Sequence, residues 1–503
     1  MVRFELSNST SISAFVLVAL SGGCSGSADT GGTGGTISVA GATSTTGGST
    51  TPGETTSTTG GTIGIGGVAS GTGGAKGITG GSPSATGGVK SLTGGSPSIS
   101  GGSTNTGGTT GPSSGTSLTY PIVDTNQTSC FKTQSSTTCP SSGAAYFGQD
   151  AQYQTAQPSY KINGDGTVTD NITGLMWNQD PGDKMVWSTA VAGAKTCTTG
   201  GYADWRTPTI KELYSLILFS GGDVSGLIGN TSVDTSTLNP FIDKSVFVFE
   251  YGGTGTTVGT RIIDSQWTTS TIYTDHVMGN NNSCFFGVNF ADGRIKCYPT
   301  SSDNFTMYVR GNPSYGINQF QNSGDGTIYD AATGLTWQQG DYGSGLVQDS
   351  NSTGIDWPGA LSYCETLTLG GANDWRLPSA KELQSIVDYT RSPASTSSPA
   401  VDPLFSCSKI TNEAGVSDYA YYWTSTTHMS WQGGGSSAVY ISFGRAIGYW
   451  NSVWQDVHGA GAQRSDAKVV SASSVPYANG PQGDAVRSFN FVRCVRGGNA
   501  IQL

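Results

Sequence analysis

The feature that most constrains this chain is that its C-terminal part is written twice. Gly164 to Trp177 (GDGTVTDNITGLMW) matches Gly324 to Trp337 (GDGTIYDAATGLTW), and Asp204 to Leu213 (DWRTPTIKEL) matches Asp374 to Leu383 (DWRLPSAKEL). Gln266 to Thr271 (QWTTST) then matches Tyr422 to Thr427 (YWTSTT), and Val309-Arg310-Gly311 matches Val495-Arg496-Gly497. Four blocks in one order define a supersecondary unit built twice. Copy one falls at 144–311 and copy two at 312–503, with 119–143 as a lead-in.

Each copy opens on an Asp-Gly pair (Asp165-Gly166, Asp325-Gly326) followed by β-branched residues, which predicts a hairpin. A helix follows: Asp356 can cap it, and Trp357, Ala360, Leu361 and Cys364 stand on one helical face, as do Trp187, Ala190, Val191 and Ala194 in copy one. The second helix carries a capping box in both copies, Thr209 with Glu212 and Ser379 with Glu382. Its apolar stripes are Leu213, Leu216, Ile217 and Leu383, Ile386, Val387. After that, short alternating runs such as Ala438 to Phe443 predict strands. The fold class is therefore α+β, repeated in tandem: hairpin, two helices, then antiparallel strands.

Residues 1–23 read as a signal peptide, with the apolar stretch Ile12 to Leu20 and the small residues Ser21, Gly22 and Gly23 before Cys24. Cys24 is the expected lipidation site of an outer-membrane or cell-surface lipoprotein; ordinary secretion is the alternative. Residues 24–118 are Gly, Ser and Thr with the repeat TGGSPS, a composition that buries no core. The glycines keep no three-residue period, so the stretch is read as a disordered linker spanning about 50–60 Å rather than as collagen. Twenty-four Lys and Arg against 34 Asp and Glu leave a formal charge of -10, the opposite of a nucleic-acid footprint. Beyond the first 20 residues no apolar run approaches the roughly 20 residues a membrane helix needs, so the membrane is met only through the lipid at Cys24.

Of nine cysteines, Cys24 is set aside and the rest read as a disulfide framework in an exported chain. Cys364 with Cys494 would tie the first helix of copy two to its last strand. Cys130 with Cys139 and Cys284 with Cys297 would close local loops, and Cys197 with Cys407 is the residual pair. Tyr308 stands where copy two has Cys494, so Cys197 lacks the equivalent partner. Zinc is the rival reading, but no Cys-x-x-Cys pair occurs.

These blocks, the DWR-x-P-x-x-KEL run above all, resemble the Lcl C-terminal domain family, named after a collagen-like adhesin. The resemblance covers 144–503 twice over. It implies a cell-surface module, in the named member one that engages sulfated glycosaminoglycans from the end of a stalk. This chain departs from that pattern in its acidity and in its stalk, which argues against sulfated ligands. The order of elements also resembles the C-type-lectin-like fold, where a cysteine of the first helix is likewise bonded to the final strand. The Glu-Pro-Asn and Trp-Asn-Asp motifs of calcium-dependent lectins are absent, so their sugar chemistry does not carry over.

Asn163, Asp165, Thr167 and Asp170 loosely resemble a calcium loop, but a hairpin turn explains the same residues. Asp204-Trp205-Arg206 and Asp374-Trp375-Arg376 read as Asp to Arg pairs bracing a buried Trp, with a surface recognition patch as the alternative. The stretch from Trp423 to Arg496 is about 30 residues longer than that from Trp267 to Arg310. The addition reads as a polar loop, the kind of segment where binding residues gather. His428, Trp454, Asp456, His458, Arg464 and Asp466 are the candidate binding residues. Arg464 and Asp466 suit sugar hydroxyls or carboxylates, and Trp431, Trp450 and Trp454 offer stacking faces. Packing alone is the alternative, and a catalytic or metal site using His428, Asp456 and His458 a further one. No P-loop, nucleophile elbow or His-Glu-x-x-His run occurs, so neither a cofactor nor a catalytic residue is expected. The expected function is surface binding of an extracellular glycan or a surface protein; an enzyme or metalloprotein and a structural envelope protein are the alternatives.

Overall fold

The computed structural model describes residues 118–343, 347–349, 352–469 and 480–503. The signal peptide, Cys24 and the linker up to 117 lie outside the described residues.

The Asp-Gly turn of each copy opens a four-stranded antiparallel sheet. In copy one its strands are Tyr160–Ile162, Thr167–Asp170, Met176–Asn178 and Val309–Arg310. In copy two they are Phe320–Asn322, Thr327–Asp330, Leu335–Gln338 and Val495–Gly497. The registers coincide, Val309 facing Trp177 and Val495 facing Trp337. Asp165 Oδ1 accepts from the Thr167 amide at 3.0 Å and hydroxyl at 2.6 Å, and Asp325 does the same for Thr327 at 3.1 and 2.6 Å. The turn itself thus engages the carboxylate that a calcium loop would need.

The helices are α1 (Trp187–Gly193), α2 (Ile210–Tyr214), α3 (Trp357–Thr366) and α4 (Ala380–Ser385). Both capping boxes form, and Asp356 Oδ1 caps α3 through the Gly359 amide at 3.0 Å. The predicted face of α3 is buried; that of α1 is weaker, with Trp187 and Val191 only half-buried and no side-chain cap.

The repeated blocks interlock in a way that corrects one expectation. Trp205 and Trp375 are buried, but the aspartate of each DWR does not pair with its own arginine. Asp204 binds Arg310 at 2.6 Å and Asp374 binds Arg496 at 2.5 Å, joining DWR to the closing Val-Arg-Gly strand. Arg206 and Arg376 instead fork onto the capping-box glutamates, Arg376 reaching both oxygens of Glu382 at 2.7 Å. Each glutamate thereby satisfies a helix N-terminus and a guanidinium together, the latter buried at Arg376 and half-buried at Arg206.

The two copies are halves of one compact unit. A six-stranded sheet runs through both, built from β1 (Gln266–Trp267), β2 (Cys284–Asn289), β3 (Arg294–Pro299), β4 (Tyr421–His428), β5 (Ser437–Ser442) and β6 (Gln463–Ala467). Its order is β4-β5-β6-β3-β2-β1, so the equivalent strands β6 and β3 meet at the centre, antiparallel, with Gln463 opposite Ile295. The KEL helices repeat this two-fold relation. Lys211 Nζ donates to the Ser385 carbonyl at 2.6 Å, and Lys381 Nζ donates to the Ser215 carbonyl at 2.8 Å. Each ammonium thus reaches the carbonyl end of the other helix, where the helix dipole favours a cation. The lead-in 119–143 joins this core as well: Tyr120 is buried, and Gln127 exchanges hydrogen bonds of 2.7 and 2.8 Å with the backbone of Thr427.

Among the described residues three disulfides form, Cys130–Cys139, Cys284–Cys297 and Cys364–Cys494, which fits an exported protein. Cys197 and Cys407 are both unbonded, correcting the residual pair. Copy one fills the place of the Cys364–Cys494 bridge with Ala194 and Tyr308, whose hydroxyl donates to the Ala190 carbonyl of α1 at 3.1 Å. Cys407 lies instead 3.4 Å from Nη2 of the buried Arg493.

Candidate functional site

The extra length of copy two is not the open polar loop expected. Where copy one turns tightly from β2 to β3 through Phe290 to Gly293, copy two inserts a second hairpin, Ile447–Trp450 with Val453–Asp456, before β6. Its turn residues Asn451 and Ser452 both have positive φ (52° and 64°), the backbone of a two-residue type I′ turn. Segment 480–485 lies along the hairpin, with Tyr449 N–H donating to Gly483 O at 2.8 Å and Ala485 N–H to Ile447 O at 2.9 Å.

Most of the predicted binding residues lie beneath this hairpin rather than on it. Arg464 and Asp466 are β6 residues, His428 ends β4 and His458 follows the hairpin; all four are at most 6% exposed. Their burial corrects the reading of 456–466 as a solvent loop. His458 and Arg464 do come together, on Asp484: His458 Nε2 lies 2.7 Å from Oδ1, and Arg464 Nε and Nη2 lie 2.9 and 2.6 Å from Oδ2. Burial alone would raise the Asp484 carboxyl; Arg464, then His458, outweigh it and hold it far below the usual carboxylate range. Burial pushes His458 down to about 4, so it is neutral at physiological pH and its Nε2–H donates to Asp484. This network fastens the hairpin to the central sheet.

The others lie apart from it. His428 stacks on Phe241 and bonds the Asp292 carbonyl at 2.9 Å, and burial lowers it to about 3. Its neighbours are Asp223 and Arg294, an ion pair at 2.7 Å. Asp466 accepts from the Arg487 amide at 3.0 Å, and burial pushes its carboxyl up to about 8. Asp456 accepts from Tyr273 Oη at 3.0 Å and the Gly459 amide at 2.8 Å, with desolvation raising it to about 7. Among the described residues no group of three His, Cys, Asp or Glu side chains is placed to hold a metal ion.

Of the predicted binding residues, the hairpin carries Trp454 within its second strand and Asp456 at that strand's end. The Trp454 ring lies 5.2 Å from that of Tyr449, which is 37% exposed, and Val453 at the tip is 58% exposed. Trp450 turns toward a cavity of ≈660 Å³ whose other wall is copy one. Trp431 packs instead against Gly222 and Gly226 of copy one. Lys296 and Tyr298 of β3, together with Arg261, line the cavity and were missed by sequence reasoning. The available signal was the period of β3, which puts Arg294, Lys296 and Tyr298 on one face and Ile295 and Cys297 on the other.

Fold and site together define a disulfide-linked tandem α+β unit, mostly β, with an aromatic hairpin beside a cavity shared by its halves. The Lcl C-terminal domain model matches residues 166–310 and 326–459, more than half of the chain, and the protein belongs to that family. No curated protein and no solved structure matches the chain. The second match stops at 459, so β6, Asp484 and the closing strand lie beyond it.

Proposed function

We propose that this is an exported surface protein, held by a lipid at Cys24, whose tandem unit binds an extracellular glycan without catalysis. The observation that carries the reading is the inserted hairpin, which presents Tyr449, Trp450 and Trp454 beside a cavity of ≈660 Å³. Partly exposed aromatic rings next to a concave polar site suit sugar rings, which offer an apolar face and hydroxyl edges. In this reading Trp454 meets the ligand, while Asp456, His458, Arg464 and Asp466 hold the hairpin from below and His428 braces β4. Membership of an adhesin-type family supports a surface role, and the bond from α3 to the closing strand supports the comparison with C-type-lectin-like folds.

The test is a glycan array probed with the full chain, with calcium and then with chelator. Binding that falls in Trp454→Ala while the melting temperature stays within a degree or two supports the reading. Wild-type protein that binds no glycan overturns it, and binding lost with chelator restores the calcium loop.

A further inference from the structure

The cavity between the halves has an unbalanced charge at its wall. Arg261 is paired with Asp264 at 2.6 Å, and Lys184 donates to the Asp264 carbonyl at 2.5 Å with Asp303 nearby. The Lys296 ammonium makes neither an ion pair nor a hydrogen bond with the described residues and lies 5.2 Å from the ring centroid of Tyr298. The two carboxylates whose charge bears on it are shared, Asp484 with Arg464 and His458, and Asp292 with Arg294 at 3.5 Å. Across the cavity, Gln482 holds Oε1 buried without a hydrogen-bond partner. A buried acceptor left without a donor costs about 1–3 kcal/mol, so this wall favours a molecule that brings an O–H or N–H donor to it.

We infer that this cavity binds the carboxylate of a sugar acid, Lys296 taking the negative charge and Gln482 Oε1 accepting from a ring hydroxyl. One ligand has to satisfy two demands, a negative charge and an O–H donor. A sulfate ion answers only the first, and a neutral sugar only the second. The surplus of one cation matches a monoanion, and Trp450 and Met278 give the ring apolar walls. A volume of ≈660 Å³ lies within the roughly 300–1,000 Å³ of small-molecule sites. The site draws on both copies, β3 of one and the insertion of the other, which gives the tandem arrangement a function that one copy lacks.

The inference rests on the glycan-binding reading for the source of the sugar acid, which is either free or the end residue of a glycan chain. Calorimetry on the full chain with glucuronate, glucuronamide and glucose separates charge from shape, and a glucuronate-terminated oligosaccharide separates the two sources. Glucuronate is expected to bind at least about tenfold more tightly than its neutral amide, the worth of one charge-assisted hydrogen bond. Lys296→Gln should erase that preference, and Gln482→Leu should weaken glucuronate and glucuronamide alike. Equal binding of acid and amide, or a preference that survives Lys296→Gln in folded protein, overturns the inference. Array binding of neutral glycans with no preference of glucuronate over glucuronamide leaves the lectin reading standing and sinks this one. Binding of free glucuronate without any glycan does the reverse.

Discussion

Replacing Asp484 by Asn tests whether the buried network under the hairpin holds the molecule together. Asp484 receives three hydrogen bonds, two from Arg464 and one from His458, and the three side chains are 6%, 7% and 1% exposed. Water cannot replace the lost charge at that depth, so Arg464 keeps a desolvated guanidinium without a counter-ion. Breaking a buried pair in this way costs about 3–5 kcal/mol, where an exposed pair is worth about 0–1. The segment that carries Asp484 also lines the hairpin, so the loss should loosen Tyr449, Trp450 and Trp454 too. Urea unfolding followed by tryptophan fluorescence reads the cost as a fall in midpoint, with the slope checked for change. Adding Arg464→Met to Asp484→Asn removes the stranded charge and should recover part of the loss, a coupling of about 0.5–3 kcal/mol. A single variant within about 0.5 kcal/mol of wild type, or a double variant whose losses simply add, refutes the argument that this network is structural.

The Cys364–Cys494 bond closes a loop of 130 residues, and its removal by Cys364→Ala with Cys494→Ala should cost about 2–5 kcal/mol in chemical denaturation. Tyr308→Phe, which removes only the hydrogen bond that stands at the same place in copy one, should cost about 0.5–1.5 kcal/mol; equal losses would show that the bridge adds nothing. Asp466 binds its proton more firmly in the fold, where burial raises its carboxyl to about 8, than in the unfolded chain, where an aspartate titrates at about 4. Its contribution is therefore full below the unfolded pKa and is lost as pH rises toward the folded one. Against Asp466→Asn, the wild type should lose stability between about pH 4 and 8, while the opposite drift from His428 and His458 is common to both proteins and cancels. A difference that stays flat across that window would mean that Asp466 is ionised in the fold.

The parts of this fold legible in the sequence were those whose partners lie within one copy and follow a local rule. The Asp-Gly hairpins, the capping boxes at Thr209 and Ser379 and the buried face of α3 each need only a few neighbouring residues. The bridge from Cys364 to Cys494 was legible because a helix face and a final strand point to one core. The insertion was misjudged for the same reason. Gly, His, Arg and Asp in succession look like a solvated loop, yet their partners Asp484 and Tyr273 lie 20 or more positions away and turn the polar groups inward. Lys296 carried no local mark beyond the period of β3, because its importance comes from what copy two fails to place beside it.

The motif lysines show how far a local reading falls short. Within one copy, Lys211 or Lys381 is a polar residue on a short helix, and burial pushes them down to about 8 and about 7, a shift that Asp330 and Asp388 for Lys211, and Asp124, Asp170 and Asp150 for Lys381, offset only in part. A buried ammonium without a counter-ion is a liability unless its three protons are accepted. The Lys211 ammonium finds Gly316 O at 3.1 Å, Asn318 Oδ1 at 2.8 Å and Ser385 O at 2.6 Å; Lys381 finds Asp124 O at 2.9 Å and Ser215 O at 2.8 Å. Apart from Asp124 in the lead-in, every acceptor belongs to the opposite copy. The KEL lysine is therefore an interface residue that the repeat supplies twice. A copy standing alone would leave it buried without acceptors or exposed without a role, which is why the two halves share one sheet and one core.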